Sequence, residues 1–148
     1  MDQTDLKILQ ILQQEGRMAM KNLGKLVGLS SPAVTERVRR LEETGVIRGY
    51  RADIDLDKVQ QNIKAFITLD IKTEHYRRFM DHLPDNPCIL ECHHITGNDS
   101  MVLRVMVKDM DQLETAIESL KKYGNTRTNI ILSTPVENRL ILPEIPED

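Results

Sequence analysis

Apolar positions recur three and four residues apart in the first third of the chain and at every second residue through much of the rest. Two kinds of element are therefore predicted to follow one another. Residues 4–14 carry Ile8, Leu9 and Leu12 on one helical face with Asp5 in the first turn, and Gly16 stops the helix. A second short helix over 19–27 brings Met20, Leu23 and Val27 together, and Gly28 turns the chain out of it. The third starts at Ser30-Ser31-Pro32, where a serine oxygen can cap open backbone N–H groups and proline is harmless in the first turn. It ends at Gly45 after Val34, Val38 and Leu41 have marked its buried stripe, and residues 46–54 are predicted extended.

After a polar stretch over 53–62, read as a linker, the period falls to two. Ile63, Ala65, Ile67, Leu69 and Ile71 alternate with Lys64, Phe66, Thr68 and Asp70, as a strand with one buried face requires. Residues 74–83 return to helical spacing through Tyr76, Phe79, Met80 and Leu83, with Pro84 and Pro87 closing that helix. Strands are predicted over 88–96 and 101–108, joined by the turn-forming Gly97-Asn98-Asp99-Ser100. A helix over 111–122 displays Leu113, Ala116, Ile117 and Leu120, Gly124 ends it, and 126–134 is the last strand. The order β-α-β-β-α-β implies a ferredoxin-like antiparallel sheet with its helices on one face. Phe66, Val102, Met106 and Ile131 fall on the other face, so a second copy of the chain is expected to cover them. The fold class is thus α+β: an N-terminal helix-turn-helix, winged-helix-like domain over 1–52 and a C-terminal ferredoxin-like dimerisation domain over 63–148. The acidic, proline-bearing tail from Pro135 is expected either to lack order or to lie over a neighbour.

The net charge of −3 hides an asymmetry. Residues 1–52 hold nine Lys/Arg against six Asp/Glu, and residues 53–148 hold eleven against seventeen. Basic charge gathered at one end is what a chain needs when one module meets phosphate and the other does not. No stretch approaches the roughly 18 apolar residues of a membrane span, and no basic segment precedes an apolar run at the N-terminus, so a cytoplasmic, nucleoid-associated location with no membrane partner is expected.

Three helices, the last rich in arginine and the last two joined by a short glycine turn, describe a module for double-stranded DNA. A groove roughly 12 Å wide admits one helix that is apolar behind and polar in front. With Val34, Val38 and Leu41 behind, Pro32, Glu36, Arg39 and Glu43 point outward, Thr35 and Arg40 flank them, and Arg37 lies nearer the buried stripe. Either serine can offer the cap; Ser30 and Ser31 are both DNA-binding candidates, and Ser31, Pro32, Thr35, Glu36 and Arg39 are the candidates for base edges. Arg37, Arg40, Arg48 and Arg51 are the candidates for phosphate, contacts that position without specifying.

Two other chemistries have candidate residues in the chain. Cys88, Cys92, His93 and His94 are zinc-type ligands, but alternation sends His93 to the opposite face and no nearby spacing supplies a fourth ligand, so free thiols and no metal or cofactor are expected. No Gly-rich phosphate loop, nucleophile elbow or H-E-x-x-H motif is present, so no catalytic residue is assigned.

Asp5 with Ile8-Leu9 and Leu12, Gly16-Arg17, Leu23-Gly24, Val27-Gly28-Leu29-Ser30, the run from Val34 to Glu42, and Gly45-Val46-Ile47-Arg48-Gly49-Tyr50 together resemble the Lrp/AsnC (feast/famine) family of transcriptional regulators. The order and length of the C-terminal elements extend the resemblance to nearly the whole chain. It implies transcription regulation, homodimers assembling further, often to octamers, and a small effector, usually an amino acid, near the loop between strands two and three. That places Gly97, Asn98, Asp99 and Ser100 as effector-binding candidates. Two positions depart from the family pattern: Ala19 stands where a serine or threonine often caps helix two, and Asn98-Asp99-Ser100-Met101 follow Gly97 where an Asp and an aromatic residue are often found. Two alternative readings stay open at this point. One is a DNA-bending architectural protein, which the arginines alone do not separate from a specific regulator. The other is an enzyme similar to the sirohaem decarboxylases, against which the basic third helix argues.

Overall fold

The computed structural model describes residues 1–59 and 62–141, and these form two compact units. One contains the chain up to Asp53 together with the tail from Val136; the other runs from Ile54 to Pro135.

The first unit is built on α1 (Gln3–Gln14), α2 (Met20–Val27) and α3 (Ser31–Glu43). Helix α1 begins one residue earlier than the spacing predicts because Asp2 caps it. The Asp2 carboxylate accepts from the Asp5 N–H at 2.9 Å, and the Asp5 carboxylate accepts from the Asp2 N–H at 3.0 Å. Two open donors are satisfied reciprocally. Helix α2 has no such help: Ala19 makes no side-chain cap, and the N–H groups of Asn22 and Leu23 donate to its carbonyl. Ile8, Leu12, Leu23, Val34, Val38 and Leu41 form one buried cluster, so the helical stripes read from the sequence meet as expected. Each such side chain contributes roughly 1.5–3 kcal/mol on burial.

Residues 46–54 form no ladder strand. The Ile47 N–H donates to the Leu41 carbonyl at 2.9 Å, Ile47 packs on the core cluster, and Gly49 at φ 145° then breaks the extended run. The tail also differs from expectation. The Gln13 side-chain amide donates to the Ile141 carbonyl at 2.8 Å and accepts from the Ile141 N–H at 2.9 Å, acting as a surrogate peptide partner within the same unit. The rest of the tail, 142–148, lies outside the described residues, as do Gln60 and Gln61 of the predicted linker; a single 3-10 turn, Asp57–Val59, precedes these two.

The second unit contains β1 (Ile63–Ile71), α4 (Tyr76–His82), β2 (Ile89–His94), β3 (Met101–Val107), α5 (Met110–Lys121) and β4 (Gly124–Ile130). The strand order is β2-β3-β1-β4 with every neighbouring pair antiparallel, the ferredoxin-like arrangement. Ala65, Ile67, Leu69, Met101, Leu103, Val105 and Val107 face Phe79 of α4 and Leu113, Ala116 and Leu120 of α5 in one core.

Four details depart from the sequence reading. Helix α4 is only seven residues long and is flanked by 3-10 turns, with Pro84 in the second; Phe79 is buried while Tyr76 and Met80 stay exposed. Strand β2 carries a bulge that leaves Leu90 without a partner between Ile89↔Val105 and Glu91↔Arg104. The bulge lets Cys88, Ile89 and Cys92 all pack against the core, which strict alternation forbids. Gly124 opens β4 instead of merely stopping α5: it pairs with Ile71, and a Cβ there would stand 2.0 Å from the Asp70 carbonyl oxygen. Finally, Met106 is 5% exposed, already covered within the chain, whereas Phe66 on the same face is 41% exposed and Val102 and Ile131 are half-buried.

Candidate nucleic-acid interface

A recognition helix can present side chains accurately only if its own axis is held. The turn between α2 and α3 is tight for this reason. Gly28 adopts the left-handed conformation (φ 74°) that ends α2, the Leu29 N–H donates to the Gly24 carbonyl at 2.8 Å, and Ser30 then caps α3 by accepting from the Ala33 N–H at 3.4 Å. Gly24 has no room for a side chain, since a Cβ would lie 2.7 Å from the Leu29 carbonyl oxygen.

Charge holds the other side of α3. Asp5 is fully buried, and its carboxylate accepts from Arg37 Nη1 at 2.7 Å and from Arg40 Nη2 at 3.1 Å; Arg37 also reaches Asp2 at 2.6 Å. Burial alone would push the Asp5 carboxyl up, but the hydrogen bonds from Arg37 and from the Asp2 backbone hold it below its ordinary value. Arg37 is thus drawn toward α1, its side chain 29% exposed, while Arg40 remains 57% exposed with one nitrogen on Asp5.

The front of α3 is open. Ser31, Pro32, Thr35, Glu36, Arg39 and Glu43 are all exposed, opposite the buried Val34, Val38 and Leu41. The Thr35 hydroxyl donates to the Ser31 carbonyl at 2.8 Å and keeps its lone pairs for an outside donor. Arg39 lies between two carboxylates: its Nε donates to Glu36 at 2.9 Å, and its terminal nitrogens bond Glu36 and Glu43. The ridge is therefore internally compensated, and among the described residues the positive charge without a carboxylate partner lies beside it. Arg48 and Arg51 are exposed on the arm that follows α3. Tyr50 between them, part of the run that carries the family resemblance, is not among the DNA-binding candidates read from the sequence; it belongs to this surface because its ring packs beside Gly16 and its hydroxyl donates to Glu42 at 2.9 Å. A run of residues with no helical period gives no sign of either contact.

In the second unit, the loop singled out from the resemblance is fastened rather than free. Ser100 donates its N–H to the Leu69 carbonyl at 3.1 Å and its hydroxyl to Asp70 at 3.4 Å, and its carbonyl accepts from the Ile95 N–H at 3.1 Å. The Asp99 carboxylate, 14% exposed, pairs with Arg127 of β4. Gly97 and Asn98 are exposed at the tip. Arg127 and Asp70 are the residues the linear reading missed here, because only the pairing of β1 with β3 on one side and β4 on the other brings them to the loop. The Cys/His cluster is divided: Cys92 packs in the core, His93 bonds Glu91 at 3.3 Å, and the His94 ring stacks on Tyr76 at 5.4 Å. Both cysteines are free and half-buried.

Comparison with known proteins agrees with this geometry. Residues 1–48 match the family model for winged helix-turn-helix DNA-binding domains, and residues 64–141 match that for the Lrp/AsnC ligand binding domain. An uncharacterized HTH-type transcriptional regulator of Bacillus subtilis, YezC, is 44% identical over 90% of this chain and 95% of its own length. The HTH-type transcriptional regulator LrpC of the same organism is 32% identical over 90% of this chain and 92% of its own. The solved structure of LrpC superposes with a TM-score of 0.88 at 31% identity, covering 94% of this chain and 99% of that one. A transcriptional regulator of Neisseria meningitidis solved in complex with L-Met gives a TM-score of 0.88 at 26% identity over 93% of both chains. With both halves matched in order and nearly the whole length aligned, the chain belongs to the Lrp/AsnC family of helix-turn-helix transcriptional regulators.

Proposed function

We propose that the protein regulates transcription by sequence-specific binding of α3 in the major groove, as a homodimer assembling to an octamer, with DNA affinity or assembly set by a small effector such as an amino acid. The observation that carries this reading is the two-sidedness of α3: its back is buried and locked to Asp5, while Ser31, Pro32, Thr35, Glu36 and Arg39 stand open along its N-terminal two-thirds. In a groove, Arg39 exchanges its carboxylate partners for guanine O6 and N7, and the freed Glu36 can accept from a cytosine amine. Arg40, Arg48 and Arg51 supply phosphate contacts, and Arg37, with two carboxylates on it, serves mainly to orient the helix.

The exposed Phe66, on the sheet face opposite α4 and α5, supports dimerisation through that face. The L-Met bound to the Neisseria relative supports an amino-acid effector; Gly97, Asn98, Asp99 and Ser100 are the residues proposed to meet it in this chain. Among the described residues no helix is long and apolar enough to cross a membrane; action at the nucleoid in the cytoplasm is part of the proposal. The reading is that of a binding protein, not an enzyme.

Gel-shift titration of a genomic fragment selected by footprinting, with unrelated duplex as competitor at fixed salt, tests the proposal. Retention of the complex against a large excess of competitor supports specific regulation. Equal competition by both duplexes supports an architectural role instead, and no binding to either at low ionic strength, with or without amino acids, removes the DNA assignment.

A further inference from the structure

An arm without ladder hydrogen bonds presents arginines usefully only if something else stops it from moving. Residues 46–53 leave α3 with no strand partner, yet Arg48 is bracketed by two anchors. On one side, Ile47 packs on the helical core and donates its N–H to the Leu41 carbonyl at 2.9 Å. On the other, past Gly49 at φ 145°, Tyr50 meets the turn after α1 and the last turn of α3. Its ring carbon lies 3.4 Å from where a Cβ on Gly16 would stand, at the end of α1, and its hydroxyl donates to Glu42 near the end of α3 at 2.9 Å. Burial and then the Glu42 carboxylate push the phenol up to about 12, so the hydroxyl keeps its proton and remains the donor at neutral pH. A groove of about 520 Å³ contains Tyr50 together with Thr35 and Arg39, so this anchor stands beside the outward ridge of α3.

We propose that Tyr50 is a positioning residue for DNA binding: bridging Gly16 and Glu42, it fixes the arm so that Arg48 and Arg51 address backbone phosphates in register with α3. The inference rests on the phosphate role proposed above for those two arginines. Tyr50 acts through them and makes no DNA contact of its own. Fixing the arm before binding removes an ordering cost that the complex would otherwise carry.

The test uses the full-length protein and its footprinted duplex, with affinity measured across a salt series. Each lost phosphate contact reduces the slope of log affinity against log salt by about 0.9. Replacing both arginines (Arg48→Ala with Arg51→Ala) is expected to flatten the slope by about two units. Tyr50→Ala is expected to flatten it by a similar amount, Tyr50→Phe by less, and Tyr50→Ala added to the arginine double variant by nothing further. Thermal melting run in parallel distinguishes a displaced arm from an unfolded unit, and Tyr50→Phe, which keeps the ring on Gly16, provides the second reading if Tyr50→Ala does not fold. An unchanged slope in the folded tyrosine variants overturns the proposal while leaving the phosphate role intact. A further drop in the triple variant also overturns it, since Tyr50 would then touch DNA itself. No response from the arginine double variant overturns the phosphate reading and this inference together.

Discussion

The buried carboxylate of Asp5 and the guanidinium of Arg37, 32 positions apart in the chain, meet at 2.7 Å and tie the first turn of α1 to the middle of α3. Removing one partner of a buried pair leaves the other poorly compensated and costs more than the pair contributes net. Asp5→Ala is expected to destabilise the N-terminal unit by about 2–3 kcal/mol, read by urea unfolding. Because the Asp5 and Asp2 carboxyls are both held below their ordinary value of 3.8 in the folded state, their contribution is fully present above that value and is lost as the pH falls through the lowered ones. Acid titration of the melting temperature is expected to show a fall below about pH 4 that is shallower in Asp5→Ala. A variant with unaltered acid sensitivity would show that the ion pair does not hold the helices together.

Ala19 precedes α2 in extended backbone (φ −64°, ψ 137°) and lacks the oxygen that such a position can use. Ala19→Ser is expected to stabilise the N-terminal unit by about 1 kcal/mol through a bond to an N–H of the first turn. Thermal melting checks it, and an unchanged or lower melting temperature contradicts the local account.

Gly124 marks the place where β4 lies against β1. Gly124→Ala puts a methyl group into the Asp70 carbonyl and is expected to cost roughly 1–3 kcal/mol, with faster amide exchange at the Gly124 end of β4 and the Ile71 end of β1. Exchange unaltered along both strands would mean that the sheet absorbs the methyl without separating.

Arg39 and Arg48 are expected to fail differently. Arg39→Ala should reduce discrimination between operator and unrelated duplex by about 1–3 kcal/mol, whereas Arg48→Ala should weaken binding to every sequence and flatten the salt slope by about one unit. Competition binding across a salt series measures both quantities, and identical behaviour of the two variants would refute the division into base and phosphate contacts.

The three helices of the first unit and the strand-helix order of the second were legible because each is written in residues within one or two turns or one strand: the Val34/Val38/Leu41 stripe, the Ser30-Ser31-Pro32 start, the alternation from Ile63 to Ile71. Local patterns also show which face of α3 is buried, and hence which residues stand on the other.

What the chain could not reveal by itself is what each exposed or charged residue would find across the fold. Arg37 and Arg40 read as free cations until packing of α1 on α3 delivers Asp5 to them. Tyr50 meets Gly16 and Glu42, and Gln13 meets Ile141, only because the segments after α3 and after β4 return to the same helices. The bulge at Leu90 and the closeness of Gly124 to Asp70 follow from strand pairing across tens of residues. Such contacts depend on distances that close only when the whole unit folds, so periodicity within a single element carries no trace of them.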